Sequence, residues 1–502
     1  MSGTGPDADV LVIGGGIAGL LAARRHARAG ARVTLLEAAG RVGGAVGSAD
    51  LAGIGTNTGA EAFATAGGTV RTLLEELGLA DQVVSPRQGL GSRLVSDAGS
   101  LPSPTGALLG MPGHPLAADV RTVLGPVGAL RAWAERFLPA DHGLSDGVSI
   151  DAFVRARMGG RVADRMVAPI VGGVHSSDPT VLELASVQPR LPEAVLTHGS
   201  LAAAVRELRG HDAGPKTGTA AGRGTATGRS AGTAVQSLVP SMAVLPQALA
   251  EEIRAAGGTI RTNTPVQRLG WDGARWHAHT HPDGDRAAQR IAADRLVLAT
   301  DPETATGLLT GAGTAASAVG RTIPVTPARP VRLVALAVLA PALDAFPSGT
   351  GALVAAGTRG VRAKALTHAS AKWEHVGAAA RDALGPGGHL LRLSYGRPGE
   401  VLPGDDGLTQ DQIVDLALAD ASRILHTPLD RRQLRAARII TWTRAMRQAV
   451  PGHADALATV DATLADTGLP LELVGSWRAG TGLAAIVRAD AAGTTPPHPS
   501  HV

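Results

Sequence analysis

The chain of 502 residues contains no cysteine. Disulfides, thiolate metal sites and cysteine nucleophiles are thereby excluded. Lysine is scarce: Lys216, Lys364 and Lys372 are the only three, and the rest of the 47 basic residues are arginine. Tyr395 is the single tyrosine, and aromatic residues make up 2%. Together with abundant alanine and glycine, this reads as the codon bias of a GC-rich genome. An excess of one charge is also lacking. The 43 acidic residues leave a net +4, too little to point to nucleic acid. No apolar run reaches the roughly 18–20 residues of a membrane span. The longest, Leu333 to Leu343, contains Pro341 and reads as a buried strand. Asp7 and Asp9 stand where a signal peptide carries bases, and three glycines break the apolar stretch that follows. Export is therefore not expected, and a cytoplasmic location is. Gly-x-Ser-x-Gly and His-Glu-x-x-His are missing, so hydrolase readings have no support. His277, His279 and His281 alternate but have no carboxylate motif beside them, so a solvated hairpin face is expected there and no metal.

What is present begins at Asp9. Asp9 to Ile13 is an apolar run of strand length, and it stops at Gly14, Gly16 and Gly19, the G-x-G-x-x-G spacing. A helical stretch runs from Ile17 to Ala29 and ends at Gly30; Val33 to Leu36 is a second strand, closed by Glu37. This is a βαβ unit with an acid at its end. Gly14 permits the tight turn. Gly16 lets the backbone approach a pyrophosphate at the positive end of the helix. Gly19 lets helix and strand pack closely, and Glu37 can accept hydrogen bonds from ribose hydroxyls. A dinucleotide is the expected ligand.

The continuation resembles the amine-oxidase-like group of flavoproteins. Arg41-Val42-Gly43-Gly44 follows the acid, and Gly59-Ala60-Glu61 comes a short hairpin later. That resemblance implies FAD rather than NAD. Without cysteine a cysteinyl link is ruled out, and the FAD is expected to be non-covalent. Near the C-terminus a strand again runs into glycines at a helix start, Gly475 and then Gly480-Thr481-Gly482-Leu483. Backbone amides there can face the charge of a reduced flavin.

Along the chain, helices are expected at 69–78, at 151–158 with Ser149 as N-cap, at 161–170, 245–255, 371–383 and 409–426. Strands are expected at 259–269, 294–300, 331–340 and 390–396. Residues 210–235 are small, polar and repetitive, and a surface loop is expected. The fold class is α/β, with an α+β substrate part. A Rossmann-like FAD-binding domain is assembled from residues 1–85, 238–300 and 436–502. Residues 86–237 form a substrate and helical segment, and 301–435 carry a substrate-domain sheet.

Three further stretches resemble the protoporphyrinogen and coproporphyrinogen oxidase family. They are Ser149 to Gly159 continuing through Ala168 to Asp178, then Arg362 to Trp373, and finally Trp442 with Pro451-Gly452-His453 and Gly480 to Leu483. The resemblance runs in order through nearly the whole chain. It departs at His175, where the family commonly has tyrosine, at Ser241-Met242, and at Ala484. It implies that Gly14, Gly15, Gly16, Ile17, Ala18, Gly19, Glu37, Ala38, Arg41, Gly43, Gly44, Gly59, Ala60, Glu61 and Ala62 line FAD. It places Val266 at the adenosine side, and Trp442, Thr481, Gly482 and Leu483 at the isoalloxazine end. The substrate sheet is implied to be mostly antiparallel, beside a helical domain that can lie against the inner face of a membrane. The implied reaction is a six-electron oxidation of a porphyrinogen in haem biosynthesis, with dioxygen as acceptor, peroxide as product and other haem-pathway enzymes as partners. No catalytic side chain is assigned. Arg362, Lys364 and Lys372 are candidates for the substrate's carboxylates, against a solvated strand face as the plainer reading. Coproporphyrinogen III is preferred over protoporphyrinogen IX. Amine oxidase, carotenoid desaturase and a silent FAD-binding protein are the rivals; with one tyrosine an amine-oxidase aromatic cage is hard to build.

Overall fold

The computed structural model describes residues 3–4, 8–97, 99–175, 178–211, 235–281, 289–447, 450 and 452–493. Most of the low-complexity stretch 210–235, and the hairpin expected around Pro282, lie outside these residues.

An eight-stranded sheet is centred on Ala8–Ile13. Val33–Leu36 and Gln289–Leu298 flank it in parallel. Thr259–Arg261 extends the sheet beyond Val33–Leu36, and Leu471–Leu473 pairs with the end of Gln289–Leu298, both parallel. Ala8–Ile13 and Val33–Leu36 are covered on both faces, which is why they read as largely continuous apolar runs. Ile17–Arg28, Val244–Ala255 and Leu483–Ala491 pack on one face. Pro302–Thr310, Thr314–Thr322 and His453–Thr467 pack on the other, with an antiparallel meander of Val266–Trp271, Trp276–Thr280 and the first half of Gln289–Leu298. The single strand expected at 259–269 is thus two strands. Asn263 turns with a left-handed φ of 51°, and Pro265 has no N–H to continue a ladder.

The second sheet has seven strands, in the order Leu434–Arg447, Ala328–Leu339, Gly388–Tyr395, Ala365–His368, Gly351–Val354, Arg93–Ser96, Gly99–Pro102. Every pair is antiparallel except Gly351–Val354 with Arg93–Ser96. Ala328–Leu339 alternates cleanly. Val334, Leu336 and Val338 enter a core with Gln410–Leu425, while Ala335 and Ala337 face Trp373 and Ile54. Two expected boundaries, at 300 and at 435, are therefore crossed. The sheet runs on through Leu434–Arg447, because that strand bonds along Ala328–Leu339. Conversely, the helices between 302 and 322 belong to the first sheet, where Leu309 and Val319 are buried.

The helical part, 118–211, surrounds Phe153, Met158, Val195 and Val205. Ser149 caps Ile150–Met158 by accepting from the Ala152 N–H at 3.2 Å. Gly160–Val162 continues through π-helical turns to His175, longer than the expected 161–170. Arg157 and Glu135 are both fully buried and paired at 3.1 Å, and Glu135 also accepts from the Leu201 and Ala202 amides. Among the described residues, no helix is long and apolar enough to cross a membrane.

Candidate functional site

The glycine turn lies at the ends of the first sheet's parallel strands. Gly14 has φ +104°, and a Cβ there would stand 2.6 Å from the Ala299 carbonyl oxygen. A Cβ on Gly19 would run into the Gly14 carbonyl. Both are packing glycines. Gly16 differs: a Cβ there would meet nothing within 4 Å. The crowding lies behind the turn and the open space before it, as a pyrophosphate on the helix N-terminus requires. Ile17 and Ala18 open that helix.

Glu37 closes the turn from the other side. Its Oε2 accepts the Gly15 N–H at 2.6 Å and its Oε1 the Ala39 N–H at 2.7 Å. Gly43 donates to the Gly15 carbonyl at 2.7 Å, and a Cβ on Gly44 would stand 3.2 Å from the Gly16 Cα. Arg41 braces this loop through the carbonyls of Val42, Gly44 and Val46. Asn263 and Thr264 donate to the Ala39 and Glu37 carbonyls at 2.9 Å each, which brings the start of Val266–Trp271 to the acid. Ala38 is exposed beside it.

The C-terminal glycines meet the same end. Ile17 and Leu483 share one core near the helix starts, and Arg25 pairs with Asp490 at 3.2 Å near their ends. The two helices therefore run in the same direction with their N-termini together. Thr481 and Gly482 are exposed at that edge. Trp442 donates to the Thr58 carbonyl at 2.8 Å, and its ring lies 3.4 Å from where Gly59 would carry a Cβ. Two buried polar atoms along this path have no partner, the Thr58 hydroxyl and the Trp477 indole N–H. A cradle open at Gly16 with orphaned donors beyond it fits a bound dinucleotide.

Glu61 lies behind Gly59 and Ala60 and is buried. Lys372 Nζ approaches it at 3.1 Å, Arg392 Nη2 at 2.8 Å, and the Trp373 indole donates at 2.6 Å. Burial pushes its pKa up, but Lys372 and Arg392 outweigh that and hold it at about 2. Arg392 also donates to the Gly59 carbonyl at 2.9 Å. Ala62 packs into the same core as Trp373.

Arg362, Lys364 and Lys372 do not converge. Lys372 is on Glu61. Arg362 pairs with Asp406 at 2.7 Å and donates to the Val401 carbonyl. Lys364 is 1% exposed and donates to the Gly396 carbonyl at 3.2 Å, on the opposite face of the sheet beneath Gln410–Leu425. Burial first, and then Arg397, lower its pKa to about 8. His277 is not on a solvated face either. It is 8% exposed and bonds to Asp272 at 2.5 Å, while His281 is exposed.

Two cations near these residues had only faint sequence signals. Arg392 is a lone charge in the apolar strand Gly388–Tyr395. Arg329 is the second residue of the long strand Ala328–Leu339, two before Val331, which is the register partner of Trp442. Its Nε is buried without a partner, and no ion pair to it occurs among the described residues.

Comparison with known proteins agrees with this geometry. The family model for flavin containing amine oxidoreductase matches residues 17–459. Coproporphyrinogen III oxidase of Mycobacterium tuberculosis (strain ATCC 25618 / H37Rv) is 30% identical over 488 residues, covering 95% of this chain and 94% of its own. That of Propionibacterium freudenreichii subsp. freudenreichii is 29% identical, covering 96% and 90%. Among solved structures, a protein of Exiguobacterium sp. 255-15 assigned as a protoporphyrinogen oxidase superposes with TM-score 0.77 at 20% identity, over 98% of both chains. Cyclohexylamine oxidase from Brevibacterium oxydans IH-35A gives 0.62 at 17%, over 97% of both, so the fold is shared across different substrates. The chain thus belongs to the family of flavin-containing amine oxidoreductases, and a flavin is the cofactor that this family implies.

Proposed function

We propose that the protein is an FAD-dependent oxidase that converts coproporphyrinogen III to coproporphyrin III, with FAD held non-covalently. The observation that carries the reading is the end-to-end similarity to relatives named coproporphyrinogen III oxidase, at 30% identity over 95% of this chain. The open cradle at Gly16 and the acid Glu37 support FAD as the form of the flavin.

The chemistry that FAD supplies when bound is two-electron acceptance: a hydride leaves a saturated bridging carbon of the macrocycle, and the electrons pass on to dioxygen, giving peroxide. Three such rounds remove three hydrides and three protons, in all one hydrogen from each of the four bridging carbons and two from pyrrole nitrogens, and turn one porphyrinogen and three dioxygen molecules into one porphyrin and three peroxides. The amides of Gly16 to Gly19 would hold the pyrophosphate, and Glu37 would orient the ribose end. Gly59 to Ala62, Trp442 and Thr481 to Leu483 would hold the ring end. The half-buried Arg329, two residues before the register partner of Trp442 and with its Nε unpartnered, is our candidate for holding a substrate propionate.

The test is an aerobic assay of the yellow holoprotein. Fluorescent porphyrin and peroxide should form in a ratio of one to three. A protein whose flavin is reduced by polyamines or carotenes, and not by porphyrinogens, would overturn the assignment. Protoporphyrinogen IX is the second reading, favoured by a 29% identical relative, protoporphyrinogen oxidase 2 of Arabidopsis thaliana, which matches 38% of this chain. A kcat/KM ratio about tenfold in favour of protoporphyrinogen, roughly 1.4 kcal/mol of transition-state preference, would reverse the choice.

A further inference from the structure

We infer that Glu61, Lys372 and Arg392 form a buried charge cluster that raises the reduction potential of the bound flavin through its net positive charge. This rests on the FAD reading above and assigns these side chains a role toward the cofactor.

The cluster holds one carboxylate and two cations. Among the described residues no second carboxylate lies within ion-pair distance of Lys372 or Arg392. Glu374, two residues after Lys372, is 78% exposed and turned to Arg87. One positive charge is therefore left over. The three side chains are only 9%, 19% and 16% exposed, so water screens that charge weakly.

Its position ties it to the ring end of the site. Arg392 reaches past Glu61 to the Gly59 carbonyl, and Trp442 bonds the Thr58 carbonyl next to it. Four donors from the second sheet and its adjoining helices, Arg392, Trp442, Lys372 and Trp373, thus converge on residues 58–61 of the nucleotide domain. An ordinary structural clamp would need only a neutral pair, such as Glu61 with Arg392. The added lysine does little for the clamp, since Arg392 and Trp373 already occupy both carboxylate oxygens. A reduced flavin carries more negative charge than an oxidised one, and a fixed, poorly screened cation beside it favours the reduced form.

The experiment is a spectroelectrochemical titration of the flavin in the purified holoprotein. Lys372→Gln and Arg392→Gln should each lower the midpoint potential. Glu61→Gln should raise it, and the double variant Glu61→Gln/Lys372→Gln should return close to wild type. Opposite signs with restoration in the double variant follow from charge and not from a loosened clamp. Shifts in one common direction, or no shift in any variant that retains its flavin, would overturn the inference while leaving FAD binding intact. Lys372→Gln leaves a neutral Glu61–Arg392 pair, so the test stands even if Glu61→Gln fails to fold. A wild-type protein that takes up no FAD would overturn the proposed function, and this inference with it.

Discussion

Two alanine substitutions, three residues apart, should separate packing from cofactor binding. A methyl on Gly19 meets the Gly14 carbonyl well inside contact distance and the Ala299 Cβ at 2.9 Å. Helix and strand must move apart, and overpacking of this kind costs about 1–3 kcal/mol. A methyl on Gly16 meets nothing within 4 Å, and the Gly16 backbone, with φ −68° and ψ 175°, suits any L-residue. The apoprotein should therefore keep its stability, or gain about 0.4–1 kcal/mol because the unfolded chain becomes stiffer. The cost falls on the ligand. The methyl occupies the space through which a pyrophosphate reaches the amides, and each lost charge-assisted bond is worth about 1.5–3 kcal/mol. FAD affinity should fall about ten- to a hundredfold for one such bond. Urea unfolding of the two apoproteins and fluorescence titration with FAD give both quantities. The reasoning is refuted if Gly16→Ala lowers the urea midpoint as much as Gly19→Ala, or binds FAD as tightly as wild type.

Glu37→Ala should weaken FAD binding by about 1.5–3 kcal/mol, read by the same titration, because it removes the ribose acceptor and strands the Gly15 amide. Arg329→Gln should raise KM for coproporphyrinogen roughly tenfold with little change in kcat, as expected when a binding contact of about 1.4 kcal/mol is lost. Stability should fall in mild acid through His368. It is fully buried against the His389 ring at 3.1 Å, with Phe346 beside it and Asp344 bonded to the far side of His389. Burial, and then His389, lower its pKa to about 3 from 6.5. The folded state thus keeps this ring neutral while the unfolded chain takes up a proton below 6.5, and stability present above that pH is lost as pH falls toward 3. Between pH 7 and pH 5 this one group should remove about 2 kcal/mol. Urea midpoints of wild type and His368→Gln across that range would converge if the ring is responsible; parallel profiles would dismiss it.

What could be read from the sequence was local. Asp9 to Glu37 packs a strand, a turn, a helix and a capping acid into fewer than thirty residues, and each part carries its own signal. The N-terminal and C-terminal glycine turns could be matched by kind, but not shown to share one edge. That depends on Leu483 packing with Ile17 across almost the full chain. Leu434–Arg447 was assigned to the wrong side of the 435 boundary because its partner is chosen by pairing with Ala328–Leu339, not by composition. The helix His453–Thr467 went unread because only Val460 and Leu464 are buried in it, too few to set an apolar period. Lys372 looked like a free surface cation. Its partner Glu61 lies more than three hundred residues earlier, and only the folded chain brings them together.

The strand Gln289–Leu298 has a consequence for how the chain is made. Its last residues bond on one side to Ala8–Ile13 and on the other to Leu471–Leu473. The first partner leaves the ribosome early. The second follows only after the entire seven-stranded sheet has been translated. Until then Leu296 to Leu298 present an unpaired edge, a hazard for pairing with another chain, and the glycine turn at 480–482 does not yet exist. Loading of the cofactor therefore follows synthesis of the 480–482 turn, and a nascent chain stalled before position 471 should be held by chaperones and retain no flavin.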